Sequence, residues 1–576
     1  MNTLKVSSGH YSDKGRKPVN QDFHGVFVPG EPELSSKGIA VALADGISSS
    51  QVSQEASKTA ITSFFEDYYS TSEAWTVKTS VQRVLKAINS WLYAQTQRSE
   101  YRFNRDKGYV CTFSGLVIKA STAHIFHAGD ARIYRLQQGA LEALTEEHRV
   151  YIEGGKHYLK RALGADAQFD FDYLNVSLMP GDTFVLMTDG VYEFVSDKAI
   201  AEICGEHAGN LQLAAKKLTQ HAYEKGSPDN LTAQIIRVDS LQQESYAERI
   251  NSKPNLPFPP ELQARMAFDG YTIVRQLYKS ARSHVFLAVD DASQDRVVIK
   301  SPATEQREDP AYLERFLLEE WIARRINSAH VLKPSRQTRA RHFTYVVTEY
   351  IEGQTLKQWM IDNPRPSLES VREIVEQIAR GLQAFHRLEM LHQDLRPENI
   401  MIDEGGTVKI IDFGSTRVAG LSEQFVVLPE LHILGTAQYT APEYFLGDFG
   451  NALSDQFSLA VIAYQMLSGR LPYGAEVARA QSRAAQKRLK YRSVLDADRE
   501  IPAWVDFALH KALHINPAKR YEVISEFLQD LRHPNQAFLD QTRPPLLERN
   551  PVAFWQGLCL IQTGIIIAFL YFYLSS

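Results

Sequence analysis

GIAVALADG, Gly38 to Gly46, is the stretch from which the first half of the chain can be read. Ile39 to Ala44 form an unbroken apolar run, which predicts a buried strand. Asp45 closes that run and Gly46 follows. An Asp-Gly step at the end of a buried strand sets a carboxylate at the sheet edge, and the glycine leaves its backbone carbonyl accessible. The pattern returns at TFVLMTDG, Thr183 to Gly190, which ends on Asp189 and Gly190. Asp229 sits in SPDNLT, just before the apolar run LTAQIIRV, and Asp22 ends the polar cluster RKPVNQD. Asp-Gly also marks ordinary turns. Several hard oxygen donors gathered at strand ends would favour Mg²⁺ or Mn²⁺ over zinc.

The surrounding chain limits the alternatives. It has 576 residues, 44% hydrophobic and 23% charged, which suits several folded domains. The net charge of −5 implies no broad basic field, so nucleic acid is not an expected partner. The three cysteines, Cys111, Cys204 and Cys559, are far apart and form no metal-ligand spacing, as in a reducing compartment. The opening MNTLKVSSGHYSDKGRK has no apolar core and does not read as a signal peptide.

Val552 to Leu574 carry no charge. At about 1.5 Å per residue this stretch would span about 34 Å, enough for a hydrocarbon core. Trp555, Tyr571 and Tyr573 stand at its ends, and Arg543 and Arg549 precede it. The expectation is a single-pass C-terminal transmembrane anchor at 552–574, with the catalytic regions on the cytoplasmic side of a bacterial inner membrane. A buried core helix is the alternative, given Gln556 and Gln562. The remaining divisions expected are 1–239, a proline-rich linker at 240–267 (PNLPFPP within it), 268–533, and a juxtamembrane segment at 534–551. The linker is expected to be a stiff, extended spacer.

The ordered set NQD, ALADG, GDARIY, RALG, LMTDG and PDNLT resembles the metal-dependent protein phosphatase (PPM) family over about residues 8–238. The resemblance implies a β-sandwich flanked by helices, with two or three Mg²⁺ or Mn²⁺ ions in a cleft. Asp45 would bridge two of them with help from the Gly46 carbonyl. Asp189 and Asp229 would hold one, Asp22 would act on the other, and Asp130 would serve a third. Lys17, or its neighbour Arg16, would grip the substrate phosphate. Two cations that polarise a phosphate and activate a shared water need no protein nucleophile. Ile47 stands where some relatives carry a histidine proposed as leaving-group acid, so the identity of that acid stays open.

In the second half Lys300 closes the apolar run RVVIK, and Glu319 lies in the helical pattern YLERFLLEEWIARRI. LHQDLRPENIMI contains His392, Asp394 and Asn399; VKIIDFGS contains Asp412, Phe413 and Gly414; GTAQYTAPE contains Thr436 and Glu443. These resemble the catalytic loop, Mg²⁺ loop and activation-segment end of the protein kinase family over about residues 270–533. The fold class expected for the whole is therefore multidomain α+β: a phosphatase sandwich, then a two-lobed kinase fold, then the transmembrane helix.

The kinase resemblance implies ATP with Mg²⁺. Lys300, held by Glu319, would orient the nucleotide phosphates, and Asn399 and Asp412 would hold Mg²⁺. Asp394 would take or orient the substrate hydroxyl proton, and Arg396 would contact the transferred phosphate. Arg396 and Thr436 point to serine/threonine substrates. Arg520 would pair with Glu443. Tyr278, Ser280 and Ser283 occupy the places of three phosphate-loop glycines, with Val285 beyond them in the nucleotide site. Gln393 replaces the arginine that reads a phosphorylated activation loop.

The expected function is a bifunctional signalling enzyme acting on protein serine and threonine and on their phosphorylated forms. Its own kinase region is a further expected substrate, at Ser415, Thr416, Ser422, Thr436 or Thr440. The runner-up is a membrane-tethered phosphatase regulated by an inactive, nucleotide-binding pseudokinase region.

Overall fold

The computed structural model describes residues 3–152, 156–241, 256–280, 283–303, 310–335, 340–423, 437–495, 500–542 and 551–575. β3 (Ile39–Ala44) is buried along its whole length and serves two cores. Ile39, Val41 and Leu43 pack with Leu116, Ile118, Ile133, Phe184, Leu186 and Ile236 between two sheets. Ala40, Ala42 and Ala44 pack with Ala56, Ala60, Ile61 and Phe64 of helix Ser53–Ser70 and with Val81 and Leu85 of helix Val77–Arg98. Side chains alternate faces along a strand. Branched residues therefore fill the space between the sheets, each burial contributing about 1.5–3 kcal/mol, and the alanines let the helices lie close.

The first sheet runs β10–β5–β4–β3–β2, from β2 (Phe23–Phe27), β3, β4 (Phe113–Lys119), β5 (Thr122–Ala128) and β10 (Asp172–Ser177). The second runs β1–β12–β11–β6–β7, from β1 (Lys5–Asp13), β6 (Arg132–Gln137), β7 (Ala140–Ala143), β11 (Thr183–Met187) and β12 (Leu231–Ser240). Helix Leu211–Glu224 covers its outer face through Leu211, Ala214, Ala215 and Leu218. Among the described residues, the hairpin of β8 (Arg149–Ile152) and β9 (Lys156–Leu159) pairs with neither sheet. The result is the helix-flanked β-sandwich that the first resemblance implies.

The second region opens with one antiparallel sheet in the order β13–β14–β15–β16–β17, from β13 (Ala267–Phe268), β14 (Tyr271–Lys279), β15 (Ser283–Asp290), β16 (Arg296–Pro302) and β17 (Val346–Glu349). Leu262 is buried in this sheet's core, and the carbonyls of Leu256 and Pro257 accept hydrogen bonds from Thr344. The described part of the proline-rich stretch thus lies against the sheet; 242–255 lie outside the described residues.

The lobe that follows is helical. In helix Leu368–His386 the Ser367 side chain accepts from the Ser370 amide, capping its first turn. Val371, Ile374, Val375, Ile378, Leu382 and Phe385 recur at three- and four-residue steps and are all buried. Helix Ala452–Ser468 is buried on all sides from Ser454 to Ala463, as its apolar run suggests, and Gly469 ends it at φ 69°.

One expectation is overturned. Among the described residues no helix is long and apolar enough to cross a membrane. The expected span falls on helix Pro551–Ser575. Gln556, Gln562 and Thr563 interrupt it. The transmembrane helix, the single-pass anchor, the membrane partner and the inner-membrane location expected from the sequence are withdrawn.

Candidate active sites

The strand ends bring the aspartates together. The Asp45 amide donates to Thr112 Oγ1 at 2.8 Å, and the Asp45 carbonyl accepts from the Thr112 amide at 2.8 Å, which ties the end of β3 to the start of β4. Gly46 lets helix Ser53–Ser70 approach: a Cβ there would lie 2.8 Å from Ser53 Cβ and 2.9 Å from the Gln21 carbonyl oxygen. Asp22 Oδ2 accepts from Thr188 Oγ1 at 3.1 Å and Thr232 Oγ1 at 2.7 Å, while its buried Oδ1 has no partner. Gly190 packs against Asp229 and Asn230 and so sets Asp189 beside Asp229.

Burial, opposed by hydrogen bonds from Thr232 and Thr188, pushes the Asp22 carboxyl up to about 6. Burial, then repulsion from Asp130 and Asp229, pushes Asp189 up to about 7 despite Arg149. Asp45 is raised well above the carboxylate range by burial and then by Asp22, Asp189, Asp130 and Asp229. Crowded, buried hard-oxygen groups of this kind fit divalent cations, which would remove the cost of ionising them.

Among the described residues, however, no group of three or more His, Cys, Asp or Glu side chains is gathered so as to hold a metal ion. Three of the carboxylates, Asp130, Asp189 and Asp229, are paired with basic groups. Arg149 Nε lies 2.9 Å from Asp130, and Nη2 lies 2.5 Å from Asp189. Its Nη1 pairs with Glu193. Lys17 Nζ lies 2.5 Å from Asp229 and also donates to Ser48 Oγ. Arg16 faces elsewhere: it donates to the carbonyls of Ser227 and Tyr223 and stacks on the Tyr223 ring at 4.4 Å. Sequence reasoning missed Arg149. HRVYI carries no motif, and only the fold of the β8–β9 hairpin brings it over the aspartates.

The second site lies between the lobes. Lys300 on β16 donates to Glu319 Oε2 at 2.6 Å and lies 3.7 Å from Asp412. Burial opposes the charge on Lys300, but Asp412 and then Glu319 outweigh it and hold the ammonium form. Burial likewise opposes the charge on Asp412, and Lys300 outweighs it. Asn399 Nδ2 donates to the Asp394 carbonyl at 2.9 Å and to its Oδ2 at 3.1 Å, and Arg396 Nε lies 3.7 Å from the same carboxylate.

Asp455, in SDQF, whose place in the sequence matches a structural position of the kinase helical lobe, accepts from the amides of His392 and Gln393 at 3.0 Å each and so shapes the loop that carries Asp394. Phe413 is buried against Phe385 and His392. Arg520 pairs with Glu443 at 2.7 Å, both buried. Tyr278 is exposed, and the Ser280 hydroxyl and amide close the β14–β15 turn onto Ser283. Val285 lies opposite both Tyr278 and Lys300 in the sheet. Thr416 and Thr440 are buried, and Thr436 lies outside the described residues.

Residues 271–533 match the family model of the protein kinase domain, and residues 11–221 match that of protein phosphatase 2C. The serine/threonine-protein kinase PknA of Mycobacterium tuberculosis is 31% identical over 256 residues, which are 44% of this chain and 58% of PknA. PrkC of Bacillus subtilis is 27% identical over 264 residues, 46% of this chain and 40% of PrkC. The chain thus spans about half the length of these curated relatives. The solved serine/threonine phosphatase PstP/Ppp of Mycobacterium tuberculosis is 21% identical, with a TM-score of 0.35, and covers 41% of this chain and 99% of its own. The PstP catalytic domain solved with two manganese ions is 22% identical, with a TM-score of 0.34, over 41% of this chain and all of its own. The chain carries a protein phosphatase 2C region in its N-terminal half and a protein kinase region in its C-terminal half.

Proposed function

We propose that this chain removes phosphate from protein serine and threonine through its first half and adds it from ATP through its second. The observation that carries the reading is the coexistence on one chain of two charged sites: the buried carboxylate cluster around Asp45, and the Lys300–Glu319–Asp412 group together with the Asp394–Asn399 pair.

In the first site Asp22, Asp45, Asp189 and Asp229 would hold Mg²⁺ or Mn²⁺, with the Gly46 carbonyl beside them and Asp130 at a further position. Bound cations would supply charge neutralisation of the phosphate and an activated water. Thr188 and Thr232 fix the Asp22 carboxylate. Lys17, once released from Asp229, is the cation placed to meet a substrate phosphate.

In the second site Lys300 would bind the nucleotide phosphates, and Asp412 and Asn399 would receive Mg²⁺. Asn399 aims the Asp394 carboxylate, which would accept the proton of the attacking hydroxyl. Arg396, close to that carboxylate, would meet the transferred phosphate. Protein substrates follow from the two matched families.

A second reading is favoured by one observation. The Ser280–Ser283 closure replaces the bare backbone that glycines would offer to phosphates, so the second region could bind nucleotide without transferring it. Incubating the full chain and its Asp45→Asn variant with labelled ATP and Mg²⁺ or Mn²⁺ decides between them. Phosphoprotein that accumulates in Asp45→Asn and disappears in Asp45→Asn with Asp394→Asn supports two enzymes. ATP that binds and changes phosphate-ester hydrolysis without being consumed supports the second reading.

A further inference from the structure

Helix Val77–Arg98 of the phosphatase region begins against the kinase region, and its first turn is capped from there. Glu389 accepts from the Thr76 amide at 2.7 Å, Thr76 Oγ1 at 3.1 Å and Thr79 Oγ1 at 2.7 Å. Glu423 accepts from the Val77 amide at 2.9 Å. Two carboxylates, distant in sequence, thus serve the otherwise unpaired amides at the positive end of that helix.

The same corner is pinned at further points. The Gly420 amide donates to the Ala74 carbonyl at 2.9 Å. A Cβ on Gly420 would meet the carbonyl oxygens of Glu73, Ala74 and Trp75 at 2.5–2.7 Å. Lys119, at the end of β4, donates to the Gly420 carbonyl at 2.8 Å and lies 3.7 Å from Glu423. Trp75 Nε1 donates to the Arg387 carbonyl at 2.9 Å, and Arg325 pairs with Glu73 at 2.6 Å. Ala74 is fully buried within the hydrophobic cluster of the helical lobe.

These contacts fall on the bases of three elements that carry the kinase site. Gly420 and Glu423 follow β22 (Arg417–Val418), just beyond Asp412. Glu389 and Arg387 precede β19 (Met390–Leu391), which pairs with β22 and leads to Asp394. Arg325 ends helix Pro310–Arg325, which carries Glu319. At the head of the loop, Gln393 brings no positive charge; its amide reaches Tyr444 Oη and the Phe449 carbonyl, each at 3.4 Å. The phosphatase corner meets all three elements while Lys300 is paired with Glu319 and Phe413 is packed inward.

We propose that residues 73–79 together with Lys119 form an intramolecular clamp that keeps the kinase site assembled, so that phosphate transfer depends on the seating of the phosphatase region and not on its hydrolytic activity. The proposal rests on the reading of the second region as an active kinase. The test uses the full chain with Asp45→Asn, so that no phosphate is removed, and adds Glu389→Gln or Gly420→Val. Transfer from labelled ATP to a protein substrate, amide exchange over 417–423, and phosphate-ester hydrolysis by the same variants with Asp45 intact are measured.

Transfer is expected to fall about tenfold, comparable to losing one helix cap. Exchange at 417–423 should rise while ester hydrolysis stays within about twofold of the parent. Parental transfer in both variants despite raised exchange overturns the proposal, and so does unchanged exchange in both. A parent that transfers no phosphate sinks the kinase reading and this proposal with it, even where 417–423 are protected and the clamp is seated; the two failures are thereby told apart.

Discussion

The buried aspartates make the stability of the phosphatase region depend on pH and on divalent cations in opposite senses. Asp22 would titrate near 3.8 in an unfolded chain and is raised to about 6 by burial. Between those values the folded chain holds the extra proton, so stability without cations falls as pH rises through this window and levels off above it. The shift is about two units, and at 1.36 kcal/mol per unit ionising Asp22 costs about 3 kcal/mol. Asp189, raised to about 7, carries a penalty of similar order, but the two share neighbours and do not add.

Bound cations would cancel this cost. Amide exchange at β3 and β11 in excess EDTA should therefore be faster at about pH 8 than at about pH 5, and excess Mn²⁺ should slow it most at the higher pH. Asp22→Asn, which removes the charge but keeps the shape, should protect β3 in EDTA at about pH 8. Protection that rises with pH in EDTA, or a Mn²⁺ effect equal at both pH values, would refute the assignment of these carboxylates as an uncompensated cluster.

Arg149→Gln frees Asp130 and Asp189 from their present partner and should tighten Mn²⁺ binding by about tenfold in calorimetry, since the arginine competes for the same oxygens. Arg520→Ala leaves Glu443 charged and buried without its partner. It should cost about 3–5 kcal/mol, read as earlier melting of the helical lobe by exchange over 454–467. Asp394→Asn should lower phosphate transfer by about 10²–10⁴-fold with nucleotide affinity unchanged, whereas Lys300→Met should weaken nucleotide binding as well; equal affinities in the two variants would count against the separate roles.

What the sequence by itself determined is the local chemistry. Apolar runs ending in Asp-Gly placed Asp45 and Asp189 at strand ends because a buried strand must be apolar and a turn must follow it. The spacing of Asp394, Asn399 and Asp412 needed only short loops, and the structure brings the first two into hydrogen-bond contact. The C-terminal apolar stretch was read as a membrane span from its lack of charge, whereas among the described residues no helix is long and apolar enough to cross a membrane; absence of charge does not measure how apolar a helix is, and Gln556, Gln562 and Thr563 lower it. The two lobes were legible from the switch between sheet-like and helical patterning.

Tertiary structure decided what depends on contacts between distant segments. Lys17 and not Arg16 reaches the aspartates because Arg16 is held by the Tyr223 and Ser227 carbonyls. Arg149 reaches Asp130 and Asp189 only through the β8–β9 hairpin. Glu389 and Glu423 cap a helix that begins more than 300 positions earlier in the chain, at Val77. Pattern and spacing encode local geometry, whereas the partner of a charged side chain is settled by which distant segments folding brings together, and no local signal in the sequence records that.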